Sequence, residues 1–117
     1  MSRMERINRQ MQREVSTIIH RDLADPSLKF VTITHVSVSR DLRRARVYFS
    51  ILGDKSRLKV IVQRLEKASG FIRKLVGHAI VMRYTPQLVF IYDESILTSA
   101  RIEETLEELR HESEEDT

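Results

Sequence analysis

Arginine is the residue that gives this 117-residue chain its chemistry. Residues 1–85 hold 13 Arg and 5 Lys. A guanidinium is planar, stays charged at any working pH, and presents five donors in a fork that fits phosphate oxygens. Arg6, Arg9 and Arg13 recur at helical spacing, and Arg40, Arg43, Arg44 and Arg46 crowd one short stretch. Lys67, Arg73 and Lys74 follow, and then Arg83. Such a set suits recognition of a polyanion, RNA above all, through its phosphates. The acidic residues lie mostly elsewhere. Residues 1–85 carry 18 Lys+Arg against 7 Asp+Glu, whereas residues 86–117 carry 2 against 10, so the net charge of +3 conceals a basic body and an acidic end. Phosphate contacts supply affinity and orientation but read little sequence.

Aromatic residues make up 6% of the chain, and Phe49, Phe71 and Phe90 fall in apolar patterns that assign them to a core. Base stacking is therefore not expected to lead. Shape and backbone recognition of a structured RNA is expected instead.

Other chemistries lack their residues. Without cysteine there is no disulfide framework, thiolate metal site or Cys nucleophile, which suits a reducing cytoplasm. His20, His35, His78 and His111 stand at no recognised metal-motif spacing. Asp22 and Asp25 read as helix-end and cap residues rather than an acid pair. The three glycines, at 53, 70 and 77, form no phosphate loop, and no Gly-x-Ser-x-Gly elbow is present. A small ribonuclease would need a general base, and only isolated His and carboxylates are on offer. No enzyme, metal or cofactor is expected. A protein-interaction module whose basic face meets an acidic protein partner remains an alternative on composition alone. No apolar run approaches membrane-spanning length, and residues 1–9 contain no apolar signal core. A cytoplasmic protein is expected.

The elements that must position these cations follow from periodicity. Met4, Ile7, Met11, Val15 and Ile18 mark one face of a first helix and leave Arg6, Arg9 and Arg13 on the other. His20 lies where it can cap that helix's carbonyls, and Asp25 caps a short turn at Pro26. Val31–Val38 alternates as a strand, but its phase slips at His35-Val36, consistent with a β-bulge or with two-sided burial. Arg40–Arg44 is a charged turn. Ala45–Ile51 is a second strand, with Ala45, Val47, Phe49 and Ile51 inward and Arg46, Tyr48 and Ser50 outward, so the two strands predict an antiparallel hairpin. Asp54 or Ser56 caps a helix bearing Leu58, Ile61, Leu65 and Ala68. Gly70 predicts a kink or a junction of two helices, since a mid-helix Gly costs about 1 kcal/mol relative to Ala. Gly77 is expected to close the second piece. Leu88–Tyr92 is the third strand, with Pro86 pointing to a sheet edge or a break. A final helix is expected from about Thr98 to Arg110, then a disordered tail. This order describes an α+β protein with helices on one face of a three-stranded sheet.

Three stretches and the helix start carry a family resemblance. Leu65-Glu66-Lys67-Ala68-Ser69-Gly70-Phe71-Ile72-Arg73 resembles the signature of the ribosome-binding factor A family. So do Val36–Leu42 with Ala45–Tyr48, and Arg83–Asp93, and the amphipathic Arg6-Ile7-Asn8-Arg9 start matches as well. The likeness covers about residues 3–110. It implies a type II K-homology (KH) fold, ordered helix–strand–strand–helix–kink–helix–strand, with Ala68-Ser69-Gly70 as an Ala-x-Gly kink in place of a Gly-x-x-Gly loop. Residues 1–95 are expected to form the KH-like RNA-binding domain and 96–117 an acidic helix and tail, shorter than the charged extension common in the family. The likeness further implies binding to free small (30S) ribosomal subunits or their precursors, near the 5′-terminal helix of 16S precursor rRNA. Assistance in late 16S maturation, including 5′-end processing, with most weight in cold, and release by a ribosome-associated GTPase follow from the same likeness. The chain is expected to act as a monomer. From the charge split, the acidic end is expected to mask part of the basic surface from the wrong RNA.

Overall fold

The computed structural model describes residues 1–94. The expected closing helix and tail at 96–117 lie outside the described residues. Helix α1 (Arg3–Thr17) starts where the Ser2 hydroxyl accepts from the Glu5 N–H. It runs on into one π-helical turn, Ile18–Asp22. Met11, Val15 and Ile18 are fully buried along the predicted stripe, and Met4 and Ile7 pack at its edge. His20 does not cap the helix. Its Nε2 bonds the Val31 carbonyl at 2.7 Å, tying the wide turn to the first strand. Asp25 does cap the 3₁₀ turn Pro26–Leu28, accepting from the Ser27 N–H, and Asp54 does the same at Lys55–Arg57.

Strands β1 (Val31–Val38) and β2 (Arg44–Ile51) form the antiparallel hairpin, with a register shift between Ile33 and His35. That shift is the bulge: Ile33 and Val36 both point to the core although an even number of residues, Thr34 and His35, lies between them. β3 (Gln87–Tyr92) pairs in parallel with β2, giving the order β1-β2-β3, so Pro86 precedes an edge strand. Edge strand β1 is guarded by α1. Asn8 Oδ1 accepts from the Val38 N–H, and Gln12 donates to the carbonyls of Ile33 and Thr34 at the bulge.

Helix α2 (Leu58–Ala79) is a single 22-residue element that runs on through Gly70, so no junction of two helices forms there. Ile61, Leu65, Ile72 and Val76 lie on one stripe and are buried on both sides of Gly70, so packing carries the helix through it. The glycine penalty is smaller than the burial of four such side chains, at roughly 1.5–3 kcal/mol each. Gly77 is no cap either. It lies inside the helix, where an added Cβ would sit 2.9 Å from Thr85 Oγ1. The helix ends instead at Ile80, whose extended backbone breaks it. Phe71, one step off the buried stripe, is 46% exposed rather than core. Both helices cover one face of the sheet, sealing a core that includes Phe49, Met11, Leu65 and Ile72. No described residue covers the opposite face of the sheet.

Candidate nucleic-acid interface

The hub of the basic surface forms where three segments meet at one end of the sheet. Between the strands, the turn Ser39–Arg44 is locked by its own side chains. Asp41 accepts from the Ser39 hydroxyl at 2.7 Å and from the Arg43 N–H at 3.0 Å, and the Ser39 hydroxyl accepts from the Arg44 N–H. The Ser39 hydroxyl, then the Arg43 N–H, hold the Asp41 carboxyl below the usual carboxylate range. Leu42 takes a left-handed φ of 63° so that its side chain can pack on the core. The Gln87 N–H then bonds the Arg43 carbonyl, pinning the start of β3 to the start of β2.

That pin brings the segment before β3 against the turn. The Arg43 guanidinium lies over the Tyr84 ring at 4.5 Å, and Arg83 lies 5.6 Å from the same ring. From α2, Arg73 donates through Nε and Nη2 to the Thr85 carbonyl, at 3.1 and 2.9 Å. The missing Cβ of Gly77 lets Thr85 come this close. The result is a concavity of about 700 Å³ lined by Arg43, Gly70, Arg73, Lys74, Gly77, His78, Arg83, Tyr84 and Thr85. A second, sharing Arg43, Arg83 and Tyr84, extends toward Arg3 and Arg40. Among the described residues only two ion pairs form, Arg21–Asp22 and Arg64–Asp25, and neither touches this notch.

The predicted cations therefore divide. Arg40, Arg43, Arg73, Lys74 and Arg83 come together around Tyr84. Arg9 and Arg13 line a separate groove beside α1 with Gln12 and Thr17, and Arg6 is exposed on the same helix. Arg44 and Arg46 project from the open sheet face, away from the notch. Of the Ala68-Ser69-Gly70 run, Ala68 packs against the core and the Ser69 hydroxyl donates to the Glu66 carbonyl, leaving Gly70 alone at the notch. Lys67 is exposed but lines neither concavity around Tyr84.

Sequence reasoning missed Arg3, His78 and Tyr84. Arg83-Tyr84 next to Thr85-Pro86 marked a turn, but nothing in the local pattern shows an aromatic ring engaged by two guanidiniums.

Gly70 is the most informative lining residue. Its backbone needs no glycine, because it is helical, and no atom lies within 4 Å of where a Cβ would stand. A helical glycine with no conformational or packing reason leaves open space on the floor of a basic notch. That is the arrangement which lets a ligand approach the helix backbone. Among the described residues no group of three or more His, Asp or Glu stands close enough to hold a metal ion, and no helix is long and apolar enough to cross a membrane.

The family model for ribosome-binding factor A matches residues 3–106. A protein of Halothermothrix orenii named ribosome-binding factor A is 42% identical over 114 residues, which is 97% of this chain and 93% of that protein. The fold is similar to the crystal structure of ribosome-binding factor A from Thermus thermophilus. The TM-score is 0.70 and the identity 22%, over 78% of this chain and 97% of that one. It is also similar to a Thermus thermophilus ribosome-binding factor A homology model fitted into a cryo-EM map of a 30S complex. There the TM-score is 0.61 and the identity 23%, over 74% and 91% of the two chains. On sequence and fold together, this chain belongs to the ribosome-binding factor A family.

Proposed function

We propose that this protein binds free small ribosomal subunits or their precursors and assists late maturation of 16S rRNA, including processing of its 5′ end, with its greatest effect in cold. The observation that carries the reading is the Tyr84 notch, where five predicted cations converge with no ion pair to any described residue, beside a helix floor left bare at Gly70. Family membership and the 30S complex of the Thermus relative support the same partner. We read the α–β–β–α–β order as a variant of the type II KH fold in which an unbroken α2 replaces the two helices of the kink. The RNA-contacting set we propose is the notch (Arg40, Arg43, Gly70, Arg73, Lys74 and Arg83) flanked by Arg6, Arg9, Arg13, Arg44, Arg46 and Lys67.

The mechanism is that of a binder rather than a catalyst. A protein shifts an RNA folding equilibrium only by its differential affinity for the two conformations. Fixed guanidiniums suit that task, because Arg43 stacked on Tyr84 and Arg73 clamped on Thr85 are already oriented before RNA arrives. We place the protein in the cytoplasm, acting as a monomer, with a ribosome-associated GTPase releasing it. The test is co-sedimentation of the full chain with purified small subunits. Retention at moderate salt, reduced by Arg43→Glu with Arg83→Glu, is expected. A folded protein that stays in the supernatant at all salt concentrations would sink the proposal.

A further inference from the structure

The open face of the sheet is unlike the notch in position and in chemistry. Register sets it: Thr32 faces Ser50, His35 faces Tyr48, and Ser37 faces Arg46, while β3 adds Gln87, Val89 and Ile91 beside Arg44, Arg46 and Tyr48. The inward neighbours of these residues are buried under the helices, so this layer lies on the far side, where no described residue covers it. Arg44 and Arg46 are exposed, with no ion pair to any described residue. With Ser37, Ser39 and Val89 they line a concavity of about 370 Å³ that shares no residue with the concavities around Tyr84. Beside it the His35 and Tyr48 rings lie 5.9 Å apart, tilted by 33°, and Val89 is 41% exposed. The bulge makes this pair: the extra residue in β1 turns His35 outward, opposite Tyr48.

We infer that this face is a second RNA site, for an unpaired strand, and that the protein holds two RNA segments at once, one on each side of its sheet. Two rings and an exposed valine on a pleated surface offer stacking area to splayed bases. Two arginines alongside, at strand spacing, offer contacts to the connecting phosphates. The notch has the opposite character. Its Tyr84 ring is already engaged by guanidiniums, and its cations converge on a single hollow, which suits the backbone of folded RNA. The inference rests on the proposed RNA-binding role of the notch and adds a second, separable face to it.

The experiment titrates the full chain with a fluorescent 10-nucleotide polypyrimidine RNA and, separately, with a labelled RNA hairpin. It then combines donor-labelled single strand and acceptor-labelled hairpin with one equivalent of protein and reads energy transfer. Transfer is expected for the wild type. Arg44→Glu with Arg46→Glu should abolish it and weaken the single strand at least tenfold, a loss several times larger than the one it causes for the hairpin. Arg43→Glu with Arg83→Glu should do the converse. His35→Ala, an exposed change that spares the core, should weaken the single strand by roughly fivefold or more, the loss expected for one stacked base. Mutual displacement of the two RNAs from wild type, or equal loss of both in either double variant, overturns the two-face inference. Loss confined to the notch variant removes only the sheet site. Absence of RNA binding in any form removes the proposed function as well.

Discussion

The notch and the open sheet face each gather arginines, yet they are built by different means. The sheet face is local. A hairpin with known alternation places Arg44, Arg46 and Tyr48 on one side, because successive strand residues point in opposite directions. The notch is non-local. It needs a turn at residues 39–44, a helix face at 70–78 and a segment at 83–85, joined by the parallel pairing of β2 with β3. Arg43 and Arg44 are neighbours in sequence and still belong to different regions, one over Tyr84 and one on the open face. Neighbouring charges in sequence are thus a poor guide to a shared site.

Both regions hang on β2, so a defect there should remove both together. Phe49→Ala empties a fully buried site in the central strand and should cost about 3–5 kcal/mol. Chemical denaturation would measure it, and a loss of less than about 1 kcal/mol would mean that the core around Phe49 is loosely packed. Next in size is the electrostatic split. Arg43→Glu with Arg83→Glu should lower the salt slope for structured RNA by roughly two units, one per lost phosphate contact. An unaltered slope would move the interface away from Tyr84.

The two glycines of α2 sharpen the comparison further. Gly70→Ala should stabilise the fold by roughly 0.5–1 kcal/mol, since the added methyl meets nothing, while weakening affinity for structured RNA. Gly77→Ala should lose that gain, because its methyl would press on Thr85 Oγ1 and disturb the carbonyl that Arg73 grips. Paired thermal melts and binding curves decide it. If Gly70→Ala binds as well as wild type, no ligand approaches the helix there.

The smallest effect concerns Asp41. Its carboxyl is held below the usual range in the folded protein, so its contribution is present at neutral pH and is lost as pH falls through that lowered value. The stability advantage of wild type over Asp41→Ala should therefore shrink steadily on acidification below the ordinary carboxylate range. A constant difference across that range would show that the turn does not depend on the charge.

Much of the fold is legible in the sequence. The stripe Met11–Val15–Ile18, the hairpin, the phase slip at His35 and the cap at Asp25 all follow from period and from side-chain chemistry within a few residues. Gly70 misled because propensity is a local quantity. A penalty of about 1 kcal/mol breaks a helix only if the flanking turns gain little by continuing, and here Ile61, Leu65, Ile72 and Val76 are buried on both sides. Phe71 misled for a related reason, since one residue's step of about 100° carries a side chain from a buried stripe to its exposed flank.

Composition and spacing determined that this chain carries a basic body with helices on one side of a small sheet, and the types of its residues pointed to phosphate. The tertiary structure alone decided which cations act together. Side-chain alternation is written in the sequence because it depends on neighbours. The meeting of Arg43, Arg73, Lys74 and Arg83 at Tyr84 depends on distant chain segments being pinned by one strand pairing, and no local pattern encodes that meeting.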